Sequence, residues 1–225
     1  MIYAVQHDEK FYLPLMKDYK ILKVGKLYED DGRNNINELN PFINETTALY
    51  DLWENHDDEI IGLTHYRRIM FDKDIKALTF ENAKKILKDK DMIVTVYQYY
   101  ENSTIYDYFR YAISLTSPNA LPVFDKYMGK LNEIDPKIIR YFKTKNKFIG
   151  RNMFVGKKEV VDKYCEWLFP IILPLVEEFV NNDLEQAYGQ ERLLGHFVER
   201  MFSYWLEEIL GIDKLAMVYY LTFEE

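Results

Sequence analysis

A histidine and two arginines follow directly on an apolar run in the first third of the chain. The run EIIGLT, residues 59–64, is typical of a buried strand, and it ends on His65, Tyr66, Arg67 and Arg68. If the extended geometry continues, His65 and Arg67 lie on one side, because side chains alternate along a strand. The planar guanidinium of Arg67 can hold two phosphate oxygens, and neutral His65 can donate one further hydrogen bond. The pattern predicts a clamp for a diphosphate, and the alternative is an arginine paired with a carboxylate at the edge of the core.

Acidic side chains near the C-terminus are a second group suited to chemistry. Glu191 lies three residues before Leu194 on the apolar stripe of a predicted helix, where an unpaired carboxylate is costly to bury. It therefore lies beyond the packed end of the helix or has a distant partner, since the adjacent Arg192 cannot face it. Arg192, His196 and Glu199 share one polar stripe, which is also typical of ion pairs along a helix face.

Polar residues also follow the first two predicted strands. His7 follows IYAV, and Asp30, Asp31 and Asn35 lie in the turn-rich loop EDDGRNNINELNP. These side chains are candidates for contacts with a nucleotide base, a ribose or a sugar. The alternatives are a solvated histidine and a polar turn whose side chains bond to its own backbone. The adjacent Asp30 and Asp31 can also chelate Mg²⁺ weakly, although Mg²⁺ prefers sites completed by substrate phosphates and water.

Alternating strand and helix patterns position these groups. Buried strands are predicted at IYAV, YKILKV, EIIGLT and MIVTV, and KFIGRNMFVGKKEV is predicted to turn from strand to helix at Gly156. This alternation predicts an α/β fold whose sheet is covered by helices on both faces. In such sheets, ligands bind beyond the carboxyl ends of the strands, where residues 65–68 lie. Helices are predicted from an N-cap at Asn40 with Pro41 at the first position, after a cap at Thr79, near 103–114 and 117–132, from Lys157 to an end or kink by Pro170, and over roughly 183–210.

Composition limits the class of protein. The 225 residues suit a single domain, 1–225, with 48% apolar and 29% charged residues. The net charge of −8 argues against a general nucleic-acid binder. The single cysteine, Cys165, excludes an internal disulfide, and there is no CxxC or Cys/His metal spacing, which fits a reducing cytoplasm. No signal peptide is visible, and the run at 167–176 is too short to span a bilayer, so it predicts a buried kinked helix or contact with a membrane surface.

Six stretches of the chain, in order, resemble a bacterial family catalogued as a domain of unknown function. They are YAVQHDE, VGKLYEDDGRNNINELNP, ETTALYDLWEN, IIGLTHYRR, NMFVGKKEVVDKYCEWLF and QERLLGHFVERMFSYWL. The family occurs in capsular and exopolysaccharide gene clusters and looks like a glycosyltransferase family. The resemblance covers nearly the whole chain, and GLTHYRR, close to the family's usual GLCHYRR, is its most specific part. It implies a GT-A-like fold, with a Rossmann-like, mostly parallel central sheet flanked by helices and, here, a long C-terminal helix.

The resemblance also bears on metal dependence. In many GT-A enzymes a helix, a short acidic loop and a strand lead to a D-x-D motif, which holds a divalent metal against the donor diphosphate. The stretch ETTALYDLWENHDDEIIGLTHYR has this layout, but His65, Tyr66 and Arg67 occupy the D-x-D place. We therefore expect cationic side chains to substitute for the metal and no metal cofactor to be needed, with Mg²⁺ or Mn²⁺ as the alternative.

Further site residues are implied by matches to the family pattern. Glu45 matches its ELTA step and Asn152 its G-NMFI run, and Gln190 and Arg192 complete the C-terminal stretch. A glutamate that favours the helix dipole and an asparagine that caps the backbone are the alternatives without a ligand. The predicted substrate-binding residues are His7, Asp31, Asn35, Glu45, His65, Tyr66, Arg67, Arg68, Asn152, Gln190 and Arg192.

The function implied by the resemblance is glycosyl transfer. An inverting transfer needs a carboxylate to take the proton of the acceptor hydroxyl, and Glu191 is the first candidate, followed by Asp107 and Glu199. We expect a cytoplasmic hexosyltransferase of capsule, exopolysaccharide or O-antigen assembly, with peripheral contact at the inner membrane face as an option. Its donor would be a UDP-sugar, with galactofuranose or galactose, and its acceptor a lipid-linked glycan. The alternative is a non-catalytic carbohydrate- or nucleotide-binding assembly protein on the same fold, which the 19 tyrosines suit equally well.

Overall fold

A mixed sheet of seven strands forms the centre of the molecule. The computed structural model describes residues 1–9 and 18–223. The strands in this part of the chain are β1 (Ile2–Gln6), β2 (Tyr19–Lys23), β3 (Ile60–His65), β4 (Arg68–Phe71), β5 (Met92–Thr95), β6 (Gln98–Tyr99), β7 (Lys147–Phe148), β8 (Phe154–Lys157) and β9 (Leu215–Thr222). The sheet has the order β2-β1-β3-β8-β5-β9-β4, and β6 pairs separately with β7.

Most strands of the sheet point the same way. β1 is parallel to both β2 and β3, and β5 is parallel to β9. β8 runs antiparallel between β3 and β5, and β4 runs antiparallel to β9 at one edge. The predicted α/β fold with a mostly parallel sheet is thus confirmed. The carboxyl ends of β1, β2 and β3 lie side by side, because these three strands are parallel neighbours.

Eight α-helices in the described residues surround the sheet. α7 and α8 are each extended by a π-helical segment, at Phe179–Asp183 and Trp205–Gly211. The helices are α1 (Asn40–Ile43), α2 (Thr46–Asn55), α3 (Phe80–Ile86), α4 (Ile105–Thr116), α5 (Leu121–Ile134), α6 (Pro136–Thr144), α7 (Lys158–Glu178) and α8 (Leu193–Tyr204).

The predicted C-terminal helix begins later than its apolar stripe indicates. α8 starts at Leu193 and not near residue 183, because residues 184–189 and 191–192 form turns, with Gly189 at a φ of 84°. The Ser117 hydroxyl donates a hydrogen bond to the Gly189 carbonyl and holds this turn. Most of the predicted stripe is buried, but Ile209 at its end is 48% exposed.

Other helix boundaries also differ from the predictions. α7 continues through Pro170 and Pro174 to Glu178, because its apolar face is buried along its length and packing offsets the lost backbone hydrogen bonds. Thr79 caps α3 as predicted, since its hydroxyl accepts from the Asn82 backbone N–H. Asn40 is the first residue of α1 and not its cap. Gly156 lies inside β8, so the chain turns from strand to helix after this glycine. The sequence did not predict β4, β9 or α6.

Close packing in the sheet requires a glycine at the centre of β3. A Cβ atom on Gly62 would lie 3.0 Å from side-chain atoms of both Ile2 and Val155 on the neighbouring strands. Both large apolar residues are fully buried. Within residues 1–9 and 18–223, no helix combines the length and apolarity needed to cross a membrane.

Candidate functional site

A polar cavity of about 230 Å³ lies at the carboxyl ends of β1 and β3. Its walls come from these two strand ends, the junction of α1 with α2, the turn between β7 and β8, and the start of α8. The lining residues are Val5, His7, Val24, Asn40, Asn44, Glu45, His65, Tyr66, Arg67, Arg68, Arg151, Arg192, His196 and Glu199.

The four residues after the apolar run all line this cavity, but not as an extended strand. β3 ends at His65, residues 66 and 67 form a turn, and Arg68 begins β4. The Thr64 hydroxyl donates to the Arg68 carbonyl and closes the turn. The extended geometry therefore ends at His65, and the alternation that would place His65 and Arg67 on one side does not continue to Arg67. Arg67 is exposed, with its guanidinium 5.8 Å from the Tyr66 ring centre, whereas Arg68 is only 8% exposed.

His65 is neutral and already bonded to the protein. Its Nε2 lies 2.9 Å from the Arg151 carbonyl, so this nitrogen carries the proton and donates it. Burial, then the Arg68 guanidinium, lowers the pKa of His65 to about 3. The histidine thus orders the turn that carries Arg151, and its Nε2 proton is not free for a phosphate.

Guanidinium groups dominate the charge of the cavity. In the described residues, the arginine ion pairs involve only Arg33, Arg110 and Arg200. The cavity arginines Arg67, Arg68, Arg151 and Arg192 therefore have no carboxylate partner there. The buried Nε atoms of Arg68 and Arg151 have no hydrogen-bond partner in this part of the chain either. Of the four, Arg68 is buried, Arg151 is half-buried, and Arg67 and Arg192 are exposed. A buried guanidinium group without a carboxylate partner is costly, so Arg68 in particular favours an anion in the cavity.

Two glutamates of the cavity differ in charge. Glu45 is buried; its Oε1 accepts from the Asn152 amide at 3.0 Å and lies 3.7 Å from His65 Nε2. Burial, then the charge of Glu199, raises the pKa of Glu45. Burial alone would also raise the pKa of Glu199. His196 and Arg200 each place a nitrogen 3.7 Å from Glu199 Oε2, and their effect outweighs that of burial, so the pKa of Glu199 is lowered. Glu199 is therefore the ionised carboxylate of the pair.

A strained turn brings Arg151 and Asn152 to the site. Both have positive φ, 77° and 47°, which is uncommon for residues other than glycine. The turn presents the Arg151 carbonyl to His65 and the Asn152 amide to Glu45. Sequence reasoning selected Asn152 but missed Arg151, as well as Asn40 and Asn44 among the lining residues. A basic residue next to Asn152 was the only available signal, since a turn has no periodic pattern.

Several predicted residues are brought together and others are not. His7, Glu45, Arg192 and Glu199 join residues 65–68 around the cavity, and the rings of His7 and Tyr66 lie 5.1 Å apart. Asn152 is not among the lining residues, but its side-chain amide donates a hydrogen bond to the Glu45 carboxylate.

The remaining predicted residues lie elsewhere. Glu191 and Gln190 are outside the lining, and Gln190 donates to the Thr116 hydroxyl at 3.2 Å. Asp107 lies in the first turn of α4, where its carboxylate accepts from the capping Thr104 hydroxyl at 2.7 Å. Asp31 pairs with Arg33, as expected for a polar turn that bonds to itself.

A second cavity, of about 280 Å³, lies beside the first. Val24 lines both, and the second is bounded by β2, the loop after it and α2. Asn35 lines this second cavity, together with Tyr28, Arg33 and Asp51.

At the place of a D-x-D motif, the cavity lining presents His65, Tyr66 and Arg67, none of which is a carboxylate. In the described ranges, no group of three or more His, Cys, Asp or Glu residues is placed to ligate a metal ion. Asp30, a weak Mg²⁺ candidate from the sequence, accepts from the Gly32 backbone N–H at 3.0 Å, as an Asx turn does.

Comparison with known proteins agrees with this architecture. The apo structure of the bifunctional glycosyltransferase WbbM superposes with a TM-score of 0.80 at 22% sequence identity, over 100% of this chain and 45% of that chain. The likeness confirms a glycosyltransferase fold, and the chain spans less than half of WbbM. No curated protein was found to match the sequence. Residues 2–209 match DUF4422, described as a domain of unknown function, and the chain therefore belongs to the DUF4422 family.

Proposed function

We propose that the chain is a glycosyltransferase that moves a sugar from a nucleotide-diphospho-sugar to a glycan. The observation that carries this proposal is the set of four cavity arginines without a carboxylate partner in the described residues, at the strand ends of a glycosyltransferase fold. A diphosphate is the anion that suits them best, because planar guanidinium groups bind phosphate oxygens in pairs. The fixed positive charge stabilises the diphosphate as it leaves the sugar.

The donor is proposed to occupy both cavities. The diphosphate lies among Arg67, Arg68 and Arg151, and the nucleoside extends past Val24 into the second cavity. Tyr28 offers that cavity an aromatic face, and Asp51 and Asn35 offer polar atoms for a ribose or a base. We propose a UDP-sugar, with galactofuranose and galactose to be tested first, following the family resemblance of the sequence.

Glu199 is proposed as the general base. It lines the cavity and is ionised, whereas Glu191, the first candidate from the sequence, lies outside the lining. The acceptor hydroxyl oxygen attacks the anomeric carbon, its proton passes to the Glu199 carboxylate, and the bond to the diphosphate breaks with its electron pair on the departing oxygen. A base with a low pKa suffices, since the hydroxyl becomes acidic as its oxygen bonds to carbon. The acceptor is proposed to be a lipid-linked glycan at the inner face of the cell membrane.

Nucleotide binding tests the donor assignment. The purified chain is heated with UDP, GDP, CMP or dTDP, since a ligand that binds the native state raises the melting temperature. UDP should stabilise the wild type and the Arg140→Ala variant, in which an exposed arginine outside both cavities is removed. Arg68→Ala should lose most of this stabilisation. If no nucleotide stabilises the wild type, or if Arg68→Ala responds like the control, the donor assignment is wrong.

Transfer itself is tested with the nucleotide-sugar that stabilises best. Release of the nucleotide diphosphate is followed with and without a glycan acceptor. A rise in release on adding acceptor supports a transferase, and nucleotide-sugar binding without release supports the alternative of a non-catalytic binding protein.

A further inference from the structure

A second binding surface lies on the outer side of α4, away from the proposed donor cavities. It is an open pocket of about 710 Å³, here called the tyrosine pocket, whose walls include Tyr99, Tyr100, Tyr108 and Tyr111. Tyr99 is 67% exposed and Tyr111 60% exposed. Large aromatic side chains that remain open to solvent in one pocket are unusual, because packing them stabilises a fold.

The aromatic wall of the pocket is fixed in place. Tyr100 stacks on Tyr108 with ring centres 3.9 Å apart and an interplanar angle of 15°. Tyr100 also stacks on the buried Phe148, with ring centres 5.6 Å apart. Phe148 in turn lies under the guanidinium of the buried Arg200, at 4.9 Å. Tyr100 and Tyr108 therefore form a fixed wall between the more exposed rings of Tyr99 and Tyr111 and the core.

Polar groups with unused hydrogen-bonding capacity border the rings. Glu101 and Asn102 also line the pocket and are exposed. In the part of the chain that the structure describes, neither side chain has a hydrogen-bond or ion-pair partner; the nearby hydrogen bond from Ser103 goes to the Thr104 carbonyl. A carboxylate and an amide next to aromatic faces match a sugar, whose ring has an apolar C–H face and a hydroxyl edge.

The charge of the tyrosine pocket favours a neutral sugar over the main alternative ligand, an anionic lipid surface. The residues that line the tyrosine pocket include Glu101 and no lysine or arginine. Attraction to anionic lipids depends on basic residues, so a negatively charged pocket disfavours them. A neutral oligosaccharide, which is rich in hydroxyl groups, is not repelled by this negative charge.

Packed side chains of α4 and α8 connect the walls of the tyrosine pocket and of the donor cavity. Phe109, next to Tyr108 on α4, packs against the ring of His196 at 6.0 Å, and His196 lines the donor cavity. Arg200, which supports the tyrosine wall, follows directly on Glu199, and its guanidinium lies 3.8 Å from the centre of the Phe109 ring. The tyrosine pocket and the donor cavity are therefore built on the same packed pair of helices, α4 and α8.

We propose that the tyrosine pocket binds a neutral segment of an oligosaccharide, several sugar units away from the bond that is formed. The sugar binding is independent of the donor, whereas its role in holding the acceptor rests on the proposed function. Tyr99 and Tyr111 stack on sugar rings, while Glu101 and Asn102 bind hydroxyl groups.

Affinity electrophoresis without nucleotide tests this proposal, so the result is separate from the donor assignment. The chain is run in native gels that contain galactan, laminarin or mannan. At least one polysaccharide should retard the wild type, and the double variant Tyr99→Ala/Tyr111→Ala should bind it at least about tenfold more weakly, as expected for the loss of aromatic stacking. The control is Tyr219→Ala, which removes a tyrosine that is 66% exposed on β9 outside the pocket and should bind like the wild type.

Three results would overturn the proposal. One is that none of the three polysaccharides retards the wild type. Another is equal retardation of the double variant at an unchanged melting temperature. The third is that no polysaccharide binds, while the double variant loses binding to phosphatidylglycerol vesicles or loses self-association in size-exclusion chromatography. The tyrosines would then bind a membrane or a second copy of the chain.

Discussion

Arg67 and Arg68 are adjacent in the sequence but differ in environment. Arg67 is exposed, whereas Arg68 is 8% exposed and its Nε has no hydrogen-bond partner in the described residues. Charge interactions are stronger where water is excluded. Arg68→Ala should therefore lower kcat/KM by on the order of a hundredfold to a thousandfold, the usual cost of one lost transition-state contact. Arg67→Ala should cost less.

The same steady-state assay carries its own controls. Arg68→Lys should restore activity only in part, because an ammonium group cannot reproduce the paired contacts of a guanidinium. Arg140→Ala should match the wild type. If Arg67→Ala is the more damaging of the two substitutions, the exposed arginine is the principal diphosphate ligand, as the strand pattern first predicted.

The general base can be assigned by comparing two glutamates of the same region. Glu199→Gln should lower kcat by about a hundredfold or more, the usual contribution of general base catalysis, while KM for the donor changes little. Glu191→Gln should leave kcat near the wild-type value, because Glu191 lies outside the cavity lining. Initial rates at saturating donor decide the question, and the reverse result would return the role to Glu191.

Glu45 makes stability depend on pH. Burial, then the charge of Glu199, raises its pKa from 4.5 to about 7. Because the folded state holds this proton more tightly, the contribution of Glu45 to the free energy of unfolding is full below pH 4.5 and is lost as pH rises through about 7. The loss is on the order of 1–3 kcal/mol, since one pKa unit corresponds to about 1.4 kcal/mol.

Urea unfolding between these pH values measures the effect of Glu45. The variant Glu45→Gln keeps the shape and removes the titration, so its free energy of unfolding should fall less than that of the wild type over this range. Equal slopes for the two proteins would show that Glu45 is ionised in the fold.

At the scale of elements, Gly195 sets the position of α8. A Cβ atom there would lie 2.6 Å from Asn44 Nδ2 and 3.3 Å from the Phe42 carbonyl oxygen, so α8 rests directly against α1 and the residues after it. Glu199 is one helical turn further along α8. Gly195→Ala should lower the free energy of unfolding by about 1–3 kcal/mol, as overpacking does, and should also reduce activity by displacing Glu199.

A glycine in an open helix position provides the control. A Cβ atom on Gly129 of α5 would meet nothing within 4 Å. Gly129→Ala should stabilise the protein by about 0.5–1 kcal/mol, because alanine favours the helix. Thermal unfolding of both variants gives the comparison, and a Gly195→Ala variant as stable as Gly129→Ala would contradict the close packing of α8.

Local patterns explain which elements could be predicted. β1, β3 and β5 are buried apolar runs, so the sequence indicates them directly. β9, in contrast, is only partly buried. Its position between β5 and β4 depends on contacts between distant parts of the chain. The same holds for the site, where His65 meets the Arg151 carbonyl across 86 residues of sequence. Residues at strand ends could be selected from their type, but a turn that folds back to them could not.

At the scale of the whole molecule, a net charge of −8 coexists with a strongly cationic cavity. The sheet concentrates the positive charge by bringing the ends of β1 and β3, the turn before β8 and the start of α8 to one edge. Since these guanidinium groups can neutralise a diphosphate without a metal ion, we expect activity to survive excess EDTA, with at most a minor response to added Mg²⁺ or Mn²⁺. UDP affinity should also weaken as salt is raised, because the attraction is electrostatic.

Transfer rates of the wild type and of Arg68→Ala are measured after EDTA treatment and again after adding Mn²⁺. The comparison distinguishes neutralisation of the diphosphate by arginines from neutralisation by a metal ion. With fixed cations, EDTA leaves the wild-type rate unchanged, and Mn²⁺ does not rescue the variant. A metal-dependent enzyme would give the opposite pattern, with loss of activity in EDTA, recovery with Mn²⁺ and a weak effect of Arg68→Ala. That outcome would direct the search for ligands to Asp30, Asp31 and the carboxylates of residues 57–59, which lie before β3.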